Sequence, residues 1–290
     1  MQFCPLTGRA FLEGNAVTHK TSNQSCGPCP AEIQGICPGP QAKATSSCGR
    51  LATFEADQAL RPSGSNWTKI SILRSGLVRV QRYALEGRRH ILSLILPGEV
   101  IGSNRDDGMT YESVTDCVVC EVDRRPPDPR AAALADCSVP LYKQQMIQLE
   151  RLRWMTWFIG ALVAEERICA FLAYATRFMP TKINPDGSVR LTMLLGRADL
   201  ADFLGTTPET ISRVTHRLQD SGILVIHTAE CFTILDLPRL TQRWHMALDH
   251  DVLPFNQSFA ARGGAKRPSG AQARYAIPAA KHEDKRLAQP

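Results

Sequence analysis

The stretch that most constrains what this chain can fold into is GRADLADFLGTTPETISRVTHRL, residues 196–218. It reads as helix, tight turn, helix. Leu200, Ala201 and Leu204 give its first half an apolar stripe at helical spacing, and Ile211, Val214 and Leu218 give its second half another. Gly205 sits between them, where a sharp turn favours a residue without Cβ. Thr207 followed by Pro208 is a helix start: a hydroxyl N-cap, then a proline whose fixed φ suits the first helical position. Counted from Ala201, the turn glycine comes four positions later, Ile211 ten and Val214 thirteen, a spacing that lets two helices cross closely in a helix-turn-helix. A plain helical hairpin shares part of this pattern.

The 290 residues suffice for two domains with proper cores, and 43% hydrophobic with 21% charged residues is ordinary for a folded, water-borne chain. No run of 18 apolar residues occurs, and the opening MQFCPLTGRAFLEGN lacks the order of a signal peptide, so a cytoplasmic protein with no membrane partner is expected. Ten cysteines in such a compartment point to buried thiols or a metal site rather than to disulfides. The net charge of +6 is concentrated in the tail: residues 257–290 carry seven Lys or Arg against Glu283 and Asp284. Residues 179–256 hold seven basic and nine acidic side chains, so a cationic nucleic-acid face has to come from placed residues such as Arg213, His216 and Arg217.

Along the chain, five segments are expected. Residues 1–66 set Cys26, Cys29, Cys37 and Cys48 among Gly, Pro, Ser and Asn with little periodicity, a segment that needs something other than a core to order it. In 67–139, short apolar runs bounded by turns (KISIL, GLVRVQRY, HILSLIL, CVVCEV) predict an antiparallel β-roll of about six to eight strands. A long helix follows over 140–163, roughly 35 Å from Leu141 to Val163 at the helical rise. Its stripe of Leu149, Leu152, Met155, Ile159 and Leu162 is narrow enough for a two-helix dimer seam, the alternative being a core helix lying on the roll. Residues 164–256 hold the helix-turn-helix and a hairpin from GILVIH and CFTILD, which makes the module winged, and 257–290 reads as a disordered basic tail.

β-roll, long helix and winged helix-turn-helix, in that order, resemble the CRP/FNR superfamily of transcription regulators over residues 24–240, an α+β architecture whose N-terminal roll is of the cyclic-nucleotide-binding type. Glu209, Ser212 and Arg213 match the E-x-x-S-R motif with which the FNR branch reads a TTGAT half-site, and VAEERICAFL resembles that branch's AEERLAAF. The resemblance implies double-stranded DNA as partner, with Thr206, Thr207 and Arg217 beside the three motif residues, a homodimer, and RNA polymerase contacts through exposed loops such as Leu85–His90. The chemistry suits the residue types: Arg213 can fork onto G O6 and N7, and Glu209 can accept from C N4. Pro97-Gly98-Glu99 matches the nucleotide-binding members, but where they carry an arginine for the phosphate this chain reads Tyr111-Glu112-Ser113, so no cyclic nucleotide is expected.

Cys26, Cys29 and Cys37 form C-x2-C-x7-C, a spacing similar to the N-terminal ligand set of FNR-type oxygen sensors of the FnrN and FnrL kind. In those proteins a fourth cysteine comes from the roll, and Cys120 in VVCEV matches it better than Cys117. Four thiolates suit a [4Fe-4S] cluster, and equally a structural zinc. The resemblance implies that the cluster, intact when oxygen is low, favours a DNA-binding dimer. One departure stands out: between Arg151 and Ala164 there is no acidic residue, and Trp154 and Trp157 occur instead. No Gly-rich phosphate loop, HExxH or nucleophile–base pair is present, so an enzyme is not expected.

Overall fold

The computed structural model describes residues 50–60, 69–102, 108–123 and 138–244. Cys26, Cys29, Cys37 and the tail 257–290 lie outside the described residues, and with them the expectations for those segments.

Eight strands form the roll: β1 (Arg50–Phe54), β2 (Ala59–Leu60), β3 (Lys69–Ser75), β4 (Val78–Tyr83), β5 (Arg89–Ile95), β6 (Val100–Ile101), β7 (Thr110–Ser113) and β8 (Cys117–Asp123). They make two antiparallel four-stranded sheets, β1-β8-β3-β6 and β2-β7-β4-β5. The roll therefore takes in β1 and β2, ahead of the boundary that composition suggested at residue 66. RLATF alternates well enough for a strand, but the loop-like residues around it mask the signal. Between the sheets lies a dry interior of Phe54, Leu73, Val78, Val80, Ile95, Ile101, Cys117 and Val119. Burying each such large aliphatic or aromatic side chain contributes roughly 1.5–3 kcal/mol.

Helix α1 (Ser138–Ala161) runs to a break at Leu162–Val163, where the Glu166 carboxylate accepts from the Val163 N–H at 2.9 Å and starts α2 (Ala164–Phe178). Pro180 keeps α2 from continuing. The winged module adds α3 (Arg197–Leu204), α4 (Pro208–Asp220) and α5 (Leu237–Gln242). β9 (Thr181–Ile183) and β10 (Val189–Thr192) form a hairpin that periodicity is too short to reveal, closed by the Asp186 carboxylate accepting from the Ser188 N–H at 3.0 Å. β11 (Leu224–Thr228) and β12 (Cys231–Ile234) are the expected wing, and the four strands join in one sheet of order β11-β12-β10-β9.

The second core is shared. Leu77, Ile91, Leu94 and Leu96, on and beside the outer face of the β4–β5 sheet, pack with Met155 and Phe158 of α1 and with Phe171, Phe178, Leu200, Phe203, Ile211 and Leu218 of the winged module. An edge-to-face contact at 5.6 Å between Phe171 and Phe203 ties α2 to α3, and Phe171 meets Phe178 of its own helix edge-on at 6.1 Å. Among the described residues no helix is long and apolar enough to cross a membrane.

Candidate functional site

The turn between α3 and α4 is built as its sequence requires. Gly205 closes α3 in the left-handed region at φ 59°, where a Cβ is disfavoured. Thr207 is the N-cap of α4, its hydroxyl accepting from the Thr210 N–H at 3.2 Å, and Pro208 takes the first helical position. Ile211, Val214, Thr215 and Leu218 turn inward. That leaves Glu209 and Arg213 fully on the outer face, with Ser212 half-buried between them and Thr206 and Thr207 at the entrance.

The electrostatics of that face suit base reading. The Glu209 backbone N–H, then the Thr207 hydroxyl, hold the Glu209 carboxyl below the ordinary glutamate range, so it stays an ionised acceptor. Arg213 has only a long 3.4 Å contact to the Thr210 hydroxyl and keeps its fork available. His216 lies on the same stripe; its Nδ1–H donates to the Ser212 carbonyl at 2.7 Å, which turns Nε2 outward as the second polar atom of the ring. Arg217, expected with this group, is instead ion-paired to Glu165 at the start of α2, with Arg243 at 3.9 Å from the same carboxylate.

The long helix has two faces. Leu149 and Leu152 are 39% and 43% exposed, and Tyr142 and Thr156 continue their row in the solvent. Met155, expected on that seam, is corrected by the structure: it is 4% exposed and packs in the intramolecular core with Phe158. Ile159 and Leu162 lean against the same core and are only partly covered. The helix is apolar on both sides, so a stripe counted at threes and fours passes from one face to the other.

Arg151 anchors this helix to the roll. Both it and Glu99 are 2% exposed, and Arg151 Nη1 donates to Glu99 Oε2 at 2.9 Å and to the Leu94 carbonyl at 2.8 Å, while Nη2 donates to Glu99 Oε1. The acid of the Pro97-Gly98-Glu99 turn is thus committed within the chain.

Two cysteines of the roll differ sharply. Cys117 points between the sheets, donates its thiol to the Thr115 carbonyl at 3.1 Å, and is pushed up by burial to about 11. Cys120 lies on the opposite face of β8, in register with Leu51 of β1 and Ile72 of β3. All three are buried. Cys120 faces away from the interior that holds Cys117, the side from which a ligand to a group outside the roll would have to come. Among the described residues no three His, Cys, Asp or Glu side chains gather into a metal-holding group.

Sequence reasoning missed the arginines that join the roll to α3. Arg79 is buried on the outer face of β4 and meets Asp199, Asp57 and Glu112, while Arg89 of β5 meets Asp199 and Asp202. Of the polar residues of VRVQRY, Arg79 and Gln81 alternate with Val78 and Val80 as solvent-facing residues would, yet both are buried, and exposure begins only at Arg82.

The Crp-like helix-turn-helix domain family matches residues 166–243. The transcriptional activator protein FnrL of Cereibacter sphaeroides is 23% identical over 75% of this chain and 90% of its own length. An anaerobic regulatory protein of Pasteurella multocida is 29% identical over 67% of this chain and 71% of its own. Among solved structures, FixK2 from Bradyrhizobium japonicum superposes with a TM-score of 0.57 at 24% identity, covering 67% of this chain and 96% of that one. A CRP-family transcriptional regulator of Thermus thermophilus gives 0.55 at 21% identity, covering 68% and 98%.

Proposed function

Since the chain belongs to the CRP/FNR superfamily of transcription regulators, we propose that it is an FNR-type regulator that binds a [4Fe-4S] cluster when oxygen is low, dimerises along α1 and recognises a TTGAT-N4-ATCAA-like palindrome. The observation that carries the DNA reading is the outward row of Glu209, Ser212 and Arg213 on a capped helix. Two such helices, paired by a dimer, suit half-sites one helical turn apart. Arg213 donates to G O6 and N7, Glu209 accepts from C N4, and Ser212 touches the neighbouring base.

Each part of the chain has its task. Leu149 and Leu152 supply the dimer seam from the exposed side of α1. Met155, Phe158 and the Arg151–Glu99 pair hold the other side of that helix to the roll. Cys26, Cys29, Cys37 and Cys120 are the thiolate ligands, and the outward burial of Cys120 supports its choice over Cys117. The bound cluster would supply an oxygen-labile cross-link between the N-terminal segment and β8. Cyclic nucleotide has no part in this reading, because Glu99 is already engaged by Arg151. RNA polymerase is the proposed partner of the exposed β4–β5 turn, where Leu85 stands wholly in solvent.

The test is isolation without oxygen. Brown protein with about four iron and four sulfide per chain is expected, with protection of the palindrome that is lost in air. Colourless protein carrying one zinc would replace the sensor with a zinc-stabilised regulator.

A further inference from the structure

The ion cluster between roll and winged module is built around one carboxylate. Asp199, 9% exposed, is the third residue of α3. Its Oδ2 accepts from Arg79 Nη1 at 2.5 Å, and its Oδ1 accepts from Arg89 Nη2. Arg89 Nε donates to Asp202, one turn along the same helix, at 2.8 Å. Arg79 is itself 6% exposed and is steadied from behind by Glu112 and by Asp57, whose Oδ1 accepts at 2.9 Å. Asp57 reaches it from a left-handed backbone, φ 60°, an uncommon state that aspartate tolerates better than most residues.

Two cations thus serve four carboxylates, so neither arginine is spare. Removing one leaves a buried carboxylate short of countercharge, which is the costly way to break such a cluster. The arginines stand on adjacent strands of one sheet, and two of their aspartate partners, Asp199 and Asp202, stand on α3. The cluster is therefore a two-sided clasp. α3 in turn carries α4 through Gly205, and Arg167 fixes that turn to the end of α1, donating to the Ile159 carbonyl at 3.0 Å and the Gly205 carbonyl at 3.3 Å. In this arrangement Glu209 and Arg213 remain exposed, so the clasp holds the recognition face in place without covering it.

We infer that Asp199 is a positioning residue for DNA recognition: clasped by Arg79 and Arg89, it fixes α4 relative to the α1 seam, so that two recognition helices of a dimer meet two half-sites at one spacing. This rests on the DNA-reading dimer proposed above. Its distinguishing consequence is that a palindrome needs the fixed spacing and a lone half-site does not. Without the clasp, each module still folds and still reads its own half-site, but the second contact must be found by a loosely held partner, and the preorganisation is lost.

The experiment measures binding of the full chain, prepared without oxygen, to a labelled palindromic duplex and to the same duplex with one half-site scrambled. Asp199→Asn and, from the roll side, Arg89→Gln should each weaken palindrome binding about tenfold while leaving half-site binding unchanged. The double variant should be no worse than the weaker single one. Because Arg89 lies outside the winged module, Arg89→Gln decides the matter if Asp199→Asn does not fold. Equal losses on both duplexes would make the cluster a mere folding element and overturn the proposal, and tighter palindrome binding would overturn it by making the clasp inhibitory. A wild-type chain that prefers neither duplex to random DNA would instead fail the DNA reading on which the clasp depends.

Discussion

Arg151 of the long helix and Glu99 of the roll form a bidentate ion pair in which both side chains are 2% exposed. The helix that offers its outer face to a partner is therefore held to the roll by a charge pair that water does not reach. Breaking such a pair by removing one partner costs about 3–5 kcal/mol, whereas replacing both with apolar residues is often neutral. Arg151→Met should lower the unfolding free energy by that amount, and Glu99→Leu combined with Arg151→Met should restore most of it in denaturant titrations. Cyclic AMP should leave the melting temperature of the wild type unchanged.

Arg213→Ala should erase the preference for the guanine of the half-site, a loss of about 1–3 kcal/mol of discrimination, while reducing salt-dependent binding to random DNA only slightly. Competition titrations with single-base variants of the half-site check it. Arg217→Ala, by contrast, removes the ion pair to Glu165, and should change specificity little.

The two faces of α1 should separate cleanly. Leu152→Glu places a charge on the exposed row and should shift sedimentation toward monomer with little change in melting. Met155→Ala opens a cavity among Phe158 and its neighbours and should cost about 2–5 kcal/mol of stability, with the monomer–dimer constant near that of the wild type.

Cys120→Ser should abolish the brown colour of anaerobic protein, and Cys117→Ser should retain it. Cys117 has its own pH signature, because burial pushes its thiol up to about 11. The folded state holds that proton more tightly than the unfolded chain, whose thiol titrates near 8.5. Its contribution is complete below about pH 8.5 and is lost as pH rises toward 11. Alkaline unfolding of the wild type should therefore be steeper than that of Cys117→Ala, measured as the slope of stability against pH between about 9 and 11.

Much of the candidate interface was legible because it is local. A hydroxyl cap, a proline at the first helical position and a left-handed glycine act within a few residues, so Thr207, Pro208 and Gly205 fixed the helix-turn-helix before any tertiary contact was known. The runs KISIL, VRVQRY and CVVCEV likewise announced strands, since each is a short apolar run bounded by turns at regular spacing. β6 and β9, only two and three residues long, carry too few positions to show a period.

What the chain alone determined, then, is which segments are helices and strands and which side chains α4 can present to a groove. Tertiary structure alone decided how those segments are oriented. Whether Met155 or Thr156 faces outward depends on what lies beside α1, because its apolar and polar residues are spread round the helix and mark no single face. Asp199 and Arg79 stand 120 positions apart, and nothing within either segment shows that the carboxylate will meet that guanidinium. Burial of Arg79 and Arg151 reverses the usual expectation that charge seeks water, and it does so because each finds a carboxylate that only the assembled fold brings within reach.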